Sequence, residues 1–150
     1  MPEKKHARHN FVAVLINCRS VTNKTDELAG LIESVKADVV IGTESWLHRD
    51  ISGCEVFPSD FVAYRKDRPS HGGGVFLLVR SSLKSAALDI QCDIESVWCT
   101  ITLDDNSSFV VGAFYRRPNS DYNTFQPLNE IISEFPVEHS SLLVILICQT

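Results

Sequence analysis

Three short stretches of the chain carry residue types suited to phosphoester chemistry. Asn17 stands directly after an apolar run at residues 11–16, and Glu44 follows a second apolar run at residues 39–41. The third stretch reads Tyr115-Arg116-Arg117-Pro118-Asn119. A carboxylate beside a neutral oxygen suits a hard cation such as Mg²⁺, which binds through one or two protein carboxylates and keeps water and phosphate oxygens as its other ligands. A phenol hydroxyl and two guanidinium groups suit a phosphodiester, because a guanidinium grips phosphate oxygens in pairs. The plain alternative is a solvated loop acid, a turn asparagine, and a half-buried aromatic beside surface cations.

Which alternative holds depends on the elements that position these residues. Residues 11–16 read as a buried strand. In residues 25–36 the apolar positions Leu28, Leu31, Ile32 and Val35 fall at i, i+3, i+4 and i+7, one face of a helix. Asp26 and Glu27 lie in its first turn and Lys36 in its last, as the helix dipole favours. Residues 39–41 form a second β-branched run, so strand, helix and strand make a βαβ unit with a parallel pair. About 12 helical residues span ~18 Å, enough to return the chain along the sheet. Asn17 and Glu44 should then meet at neighbouring strand ends, where ligands bind in open α/β sheets. Paired strands lie ~4.8 Å apart, which predicts the two side chains within ~8 Å of each other.

The middle of the chain reads as antiparallel sheet. Residues 61–66 and 74–80 are strand-like around a turn at 68–73. Val97, Cys99, Ile101 and Leu103 alternate, a turn follows at 104–107, and residues 109–115 return. Tyr115 ends that hairpin and should face the same crevice. A second helix is expected over about residues 125–135, with Pro127 in its first turn, and a buried strand over 142–148. Residues 1–10 read as a flexible basic lead-in, and residues 11–150 as one α/β domain of mixed sheets.

Composition narrows the function classes. The net charge of −5 argues against coating nucleic acid by bulk charge. All 14 Lys and Arg lie at or before Arg117, so any polyanion contact must come from the first 117 residues. Arg65, Lys66 and Arg68 join Arg116 and Arg117 as candidates. The five cysteines, Cys18, Cys54, Cys92, Cys99 and Cys148, form no C-x-x-C pair and read as reduced, mostly buried thiols. His6, His9, His48 and His139 show no metal-ligand spacing. His71-Gly72-Gly73-Gly74 is like an esterase oxyanion loop, but no G-x-S-x-G accompanies it, so the glycines read as a flexible turn. The longest apolar run, residues 142–148, is too short to cross a bilayer, and the first 16 residues make no secretory leader. The expectation is an intracellular protein, nuclear or cytoplasmic, without membrane contact.

Taken in order, the motifs resemble a known family. They are Ile16-Asn17-Cys18-Arg19-Ser20, Asn23-Lys24-Thr25-Asp26-Glu27-Leu28, Ala37-Asp38-Val39-Val40-Ile41 and Thr43-Glu44-Ser45-Trp46-Leu47. Tyr64-Arg65-Lys66-Asp67-Arg68 before Gly72-Gly73-Gly74-Val75, then Glu95-Ser96-Val97-Trp98, and Gly112-Ala113-Phe114-Tyr115-Arg116-Arg117-Pro118-Asn119-Ser120 continue the series. Together they resemble the endonuclease/exonuclease/phosphatase family, in particular the endonuclease domain of LINE-type (non-LTR) retrotransposons. The resemblance implies a DNase-I-like four-layer sandwich of two mixed β-sheets flanked by helices. It implies Mg²⁺-dependent hydrolysis of DNA phosphodiesters, with Mn²⁺ as the alternative ion. It gives Asn17, Glu44 and Tyr115 catalytic roles, with Glu44 and Asn17 on the metal. It also implies a reverse transcriptase domain in the full-length element.

The resemblance stops at residue 147. In the family a strand like Val144-Ile145-Leu146-Ile147 leads into Gly-Asp-x-Asn, and a Ser-Asp-His motif comes later. Here Cys148-Gln149-Thr150 follows, no Asp lies after Asp121, and His139 precedes the last strand. The reading is therefore a C-terminally truncated domain, inactive for want of the water-activating carboxylate and the imidazole. Such losses cost ~10³-fold or more. An open edge is expected beside residues 142–148. Two alternatives stand: a non-catalytic fragment with weak nucleic-acid affinity, or a phosphatase-branch member acting on small phosphoesters.

Overall fold

A short apolar strand, an amphipathic helix and a second apolar strand build the first part of the chain. They are β1 (Ala13–Asn17), α1 (Thr25–Val35) and β2 (Val39–Thr43). The computed structural model describes residues 10–69, 72–117, 121, 123, 126–134 and 143–148, the last six as backbone. β1 and β2 pair in parallel from Ala13 opposite Val39 to Asn17 opposite Thr43. α1 buries Leu28 and Ile32 against Val14, Ile16, Val40 and Phe76. Lys36 ends the helix in the left-handed conformation, and Ala37 N donates to Ile32 O at 3.1 Å, so the free end carbonyl is satisfied. Val35, expected on the apolar face, is 40% exposed at this last turn.

The chain continues through α2 (Gly53–Val56), β3 (Phe61–Lys66), β4 (Val75–Arg80), β5 (Lys84–Ala87), β6 (Ser96–Thr102), β7 (Ser108–Tyr115), α3 (Gln126–Glu134) and β8 (Leu143–Cys148). One sheet has the order β1-β2-β4-β3 and the other β5-β6-β7-β8. β4 is antiparallel to both β2 and β3, and β6 to both β5 and β7, while β8 runs parallel to β7. Both sheets are mixed, as expected from the sequence.

The two sheets face each other. Val39, Ile41, Val75, Leu77 and Val79 of one pack on Cys99, Ile101, Val111 and Ala113 of the other. A third cluster, Ile94, Trp98, Phe114, Leu128 and Ile131, lies under α3. The layers are thus helix, sheet, sheet, helix. Close approach needs glycine at Gly112, where a Cβ would sit 2.3 Å from the Trp98 ring. No described helix is long and apolar enough to cross a membrane.

Two elements depart from the sequence expectation. α2 is a single turn held by a Ser52/Glu55 capping box. β5, Lys84-Ser85-Ala86-Ala87, has no apolar alternation; pairing with β6 and a 2.7 Å bond between Ser85 Oγ and Tyr64 OH hold it. The thiols also differ: Cys18 and Cys99 are buried, but Cys92 is half-buried and Cys54 exposed. The lead-in, save Asn10, lies outside the described residues. β1 and β8 are terminal strands of their sheets, and Phe11 just before β1 and Leu15 within it are 41% and 43% exposed.

Candidate active site

The parallel pair delivers Asn17 and Glu44 to one edge, as its topology requires. Asn17 pairs with Thr43, and Glu44 is the next residue along. The chain leaving these strand ends is bent. Among the described residues six non-glycines have positive φ, and four of them lie here: Arg19, Ser20, Glu44 and Trp46. Such backbone costs about 1–3 kcal/mol per residue and persists only where the surroundings enforce it. Ser20 N and Val21 N donate to Glu44 O and Ser45 O, each at 3.0 Å, which fastens the two loops together.

Tyr115 reaches this edge from the opposite sheet. Its hydroxyl donates to Glu44 Oε1. Trp46 Nε1 donates to Glu44 Oε2 at 3.3 Å, so both carboxylate oxygens are addressed. The rest of the cluster forms a closed circuit. Trp46 N donates to Gly73 O at 2.9 Å, Gly74 N donates to Glu95 Oε1, and Tyr115 N donates to Glu95 O at 3.0 Å. Arg68 donates to Glu95 Oε2 through Nε at 3.2 Å and Nη2 at 2.6 Å, and its guanidinium lies 5.5 Å from the Tyr115 ring centroid. A cation over an aromatic face adds to the hold on Tyr115. Gly72, Gly73 and Gly74 all have positive φ, and a Cβ on Gly73 would sit 2.2 Å from Arg68. The glycine run, expected as a flexible turn, is a pinned segment that lets Arg68 and the backbone approach closely. His71 lies outside the described residues.

A divalent cation would find a loose but compatible set of donors. Each Glu44 oxygen has lone-pair capacity left after its single donor. Asn17 Oδ1 and Nδ2 and Thr43 Oγ1 are buried without a hydrogen-bond partner. Orphaned buried polar atoms cost about 1–3 kcal/mol each, so an added ligand at the amide oxygen relieves a real deficit. One carboxylate and one amide oxygen fit Mg²⁺ or Mn²⁺, which keep water and phosphate oxygens. They do not make a closed transition-metal cage, and no cluster of three His, Cys, Asp or Glu stands among the described residues. A cavity of about 270 Å³ opens between β1 and α1, lined by Ile16, Asn17, Cys18, Lys24 and Leu28.

The basic candidates separate. Arg65 Nη2 donates to Ile51 O at 2.5 Å and His48 O at 3.1 Å and pairs with Asp67 at 3.1 Å. Lys66 Nζ donates to Ile94 O at 3.1 Å. Both were expected as nucleic-acid contacts; the structure gives them bonds that tie loops to the frame. Arg116 is half-buried and Arg117 exposed, directly beyond Tyr115. Arg68, also a candidate nucleic-acid contact, is instead engaged with Glu95, a residue given no site role in the sequence. Arg68 precedes the glycines and Glu95 precedes β6, and only the folded chain brings them together beneath Tyr115.

No protein-family model matches the chain, and no curated protein matches it by sequence. Solved structures do match. The catalytic domain of human Nocturnin superposes with a TM-score of 0.69 at 9% identity, over 91% of this chain and 62% of that one. The endonuclease domain of TRAS1, a telomere-specific non-LTR retrotransposon, gives 0.66 at 11% identity, over 91% and 58%. The mannosyl-6-phosphatase Bt3783 of Bacteroides thetaiotaomicron gives 0.66 at 12% identity, over 91% and 64%. The chain spans about three-fifths of the length of these structures. At such identities the likeness carries the architecture alone: this chain has the DNase-I-like fold, two facing mixed sheets flanked by helices.

Proposed function

We propose that the Glu44–Tyr115 site is the metal- and phosphate-binding part of a site for metal-assisted phosphodiester hydrolysis, with DNA as the substrate. The observation that carries this reading is the bond from the Tyr115 hydroxyl to the Glu44 carboxylate across the two sheets. Two residues 71 positions apart meet at strand ends beside an unpartnered Asn17 amide. Glu44 and Asn17 would hold Mg²⁺ or Mn²⁺; the bound ion supplies charge neutralisation at the phosphate. Tyr115, released from Glu44, would turn its hydroxyl to a phosphate oxygen, and Arg116 and Arg117 lie one and two residues beyond to receive the backbone. The ordered motifs from Asn17 to Asn119 support the retrotransposon endonuclease branch over a phosphatase acting on small phosphoesters.

The test is nicking of supercoiled plasmid with and without Mg²⁺, beside filter binding of the same DNA. The expected result is a Mg²⁺-dependent interaction with DNA, seen as nicking or retention, that Glu44→Ala removes. Nicking that survives Glu44→Ala overturns the site assignment. So does the absence of any Mg²⁺-dependent interaction in both assays.

A further inference from the structure

Trp46 is an aromatic held out of the core beside the site. It is 46% exposed, whereas the other tryptophan, Trp98, is 3% exposed beneath α3. A single exposed apolar residue needs no explanation by itself. This one is exposed at a cost, because its φ is +54°, a region bulky residues rarely enter. The strain is enforced: Trp46 N is tied to Gly73 O, Ser45 N to Gly74 O at 3.4 Å, and Ser45 between the two strained residues is buried. The indole N–H points to Glu44 Oε2. The polar edge of the ring thus faces the site carboxylate, and nearly half of the residue remains open to solvent. One bent loop presents a carboxylate and a planar apolar surface side by side.

We propose that Trp46 is a stacking platform for an unpaired nucleobase next to the phosphate received at Glu44 and Tyr115. The proposal rests on the phosphodiester reading above and goes further, to the form of the substrate. A base within a duplex offers only its edges, while an unpaired base offers a π-face, and aromatic side chains take such faces irrespective of sequence. A small sugar phosphate has no π-face to offer. Trp46 therefore selects a strand with a splayed or unpaired base over a phosphate on a plain sugar.

The experiment compares two fluorescently labelled ten-residue strands, oligo-thymidine and an abasic strand of the same length, by anisotropy in Mg²⁺. Trp46 is the accessible tryptophan, so quenching of its emission reports the stack directly. Wild type should bind oligo-thymidine about 5- to 150-fold more tightly than the abasic strand, with quenching. Trp46→Ala should remove that preference, and Trp46→Phe should retain much of it. Equal affinity for both strands in wild type, or a preference that survives Trp46→Ala, overturns the stacking role. If both strands bind equally and Glu44→Ala abolishes both, the phosphodiester reading stands and the platform alone falls. If wild type binds neither strand, both fall.

Discussion

Removing the Glu95 carboxylate should loosen the site more than any comparable surface change. In Glu95→Ala, Arg68 loses two charge-assisted bonds and Gly74 N loses its acceptor. Both side chains of the pair are only 15% exposed, so the bereft guanidinium is left largely out of water. Breaking a buried pair by deleting one partner costs about 3–5 kcal/mol, and the remaining exposure places this one near about 3. With a urea m-value of about 1–3 kcal/mol/M, the unfolding midpoint falls by about 1–3 M. Arg68→Ala should also destabilise, through the lost bonds and the lost contact with the Tyr115 ring. The double variant should lose less than the sum, by about 1–3 kcal/mol, because the second deletion removes a charge already stranded by the first. Equilibrium unfolding of the four proteins closes the cycle. A Glu95→Ala cost below about 1 kcal/mol, or strictly additive costs, would refute the idea that this pair braces the glycine segment.

Other outcomes follow from the same packing. Thiol reagent followed by mass spectrometry should label exposed Cys54 in the native state and leave Cys99 unmodified until unfolding. Burial pushes the Cys99 thiol from 9.0 up to about 12. The folded chain therefore keeps a proton that the unfolded chain releases, and stability is full below about pH 9 and falls as pH rises toward about 12. Denaturant midpoints across that window should decline, less steeply in Cys99→Ala; an identical slope contradicts the assignment. Gly112→Ala would drive a Cβ to 2.3 Å from the Trp98 ring and should cost about 1–3 kcal/mol in thermal unfolding. The Ser107 hydroxyl and then its backbone N–H hold Asp105 below its usual carboxylate range, so Ser107→Ala should raise the Asp105 titration in an NMR pH series.

The sequence made the site's scaffold readable because its first elements are periodic. Leu28 and Ile32 at helical spacing between two β-branched runs lead directly to α1 between β1 and β2, and hence to Asn17 and Glu44 at one edge. Tyr115 followed from the hairpin ending at its strand. β5 was hidden because an edge strand of Lys, Ser and Ala has no apolar alternation, and α2 because one turn is too short to show a period. The Arg68–Glu95 pair joins residues 27 apart in loops of different sheets, so spacing alone carries no trace of it. For Arg65 and Lys66, read as nucleic-acid contacts, the sequence carried no sign of the carbonyls of Ile51, His48 and Ile94 to which they donate.

On the proposed function, Glu44 and Asn17 would receive one divalent cation at the strand ends that Tyr115 joins. Paramagnetic broadening by Mn²⁺ in amide-resolved NMR tests it without relying on turnover. Substoichiometric Mn²⁺ should broaden the amide signals of Asn17 and of Thr43, Glu44 and Ser45 first, and Glu44→Ala should abolish that pattern. Broadening centred elsewhere, or a pattern unchanged in Glu44→Ala, would contradict it.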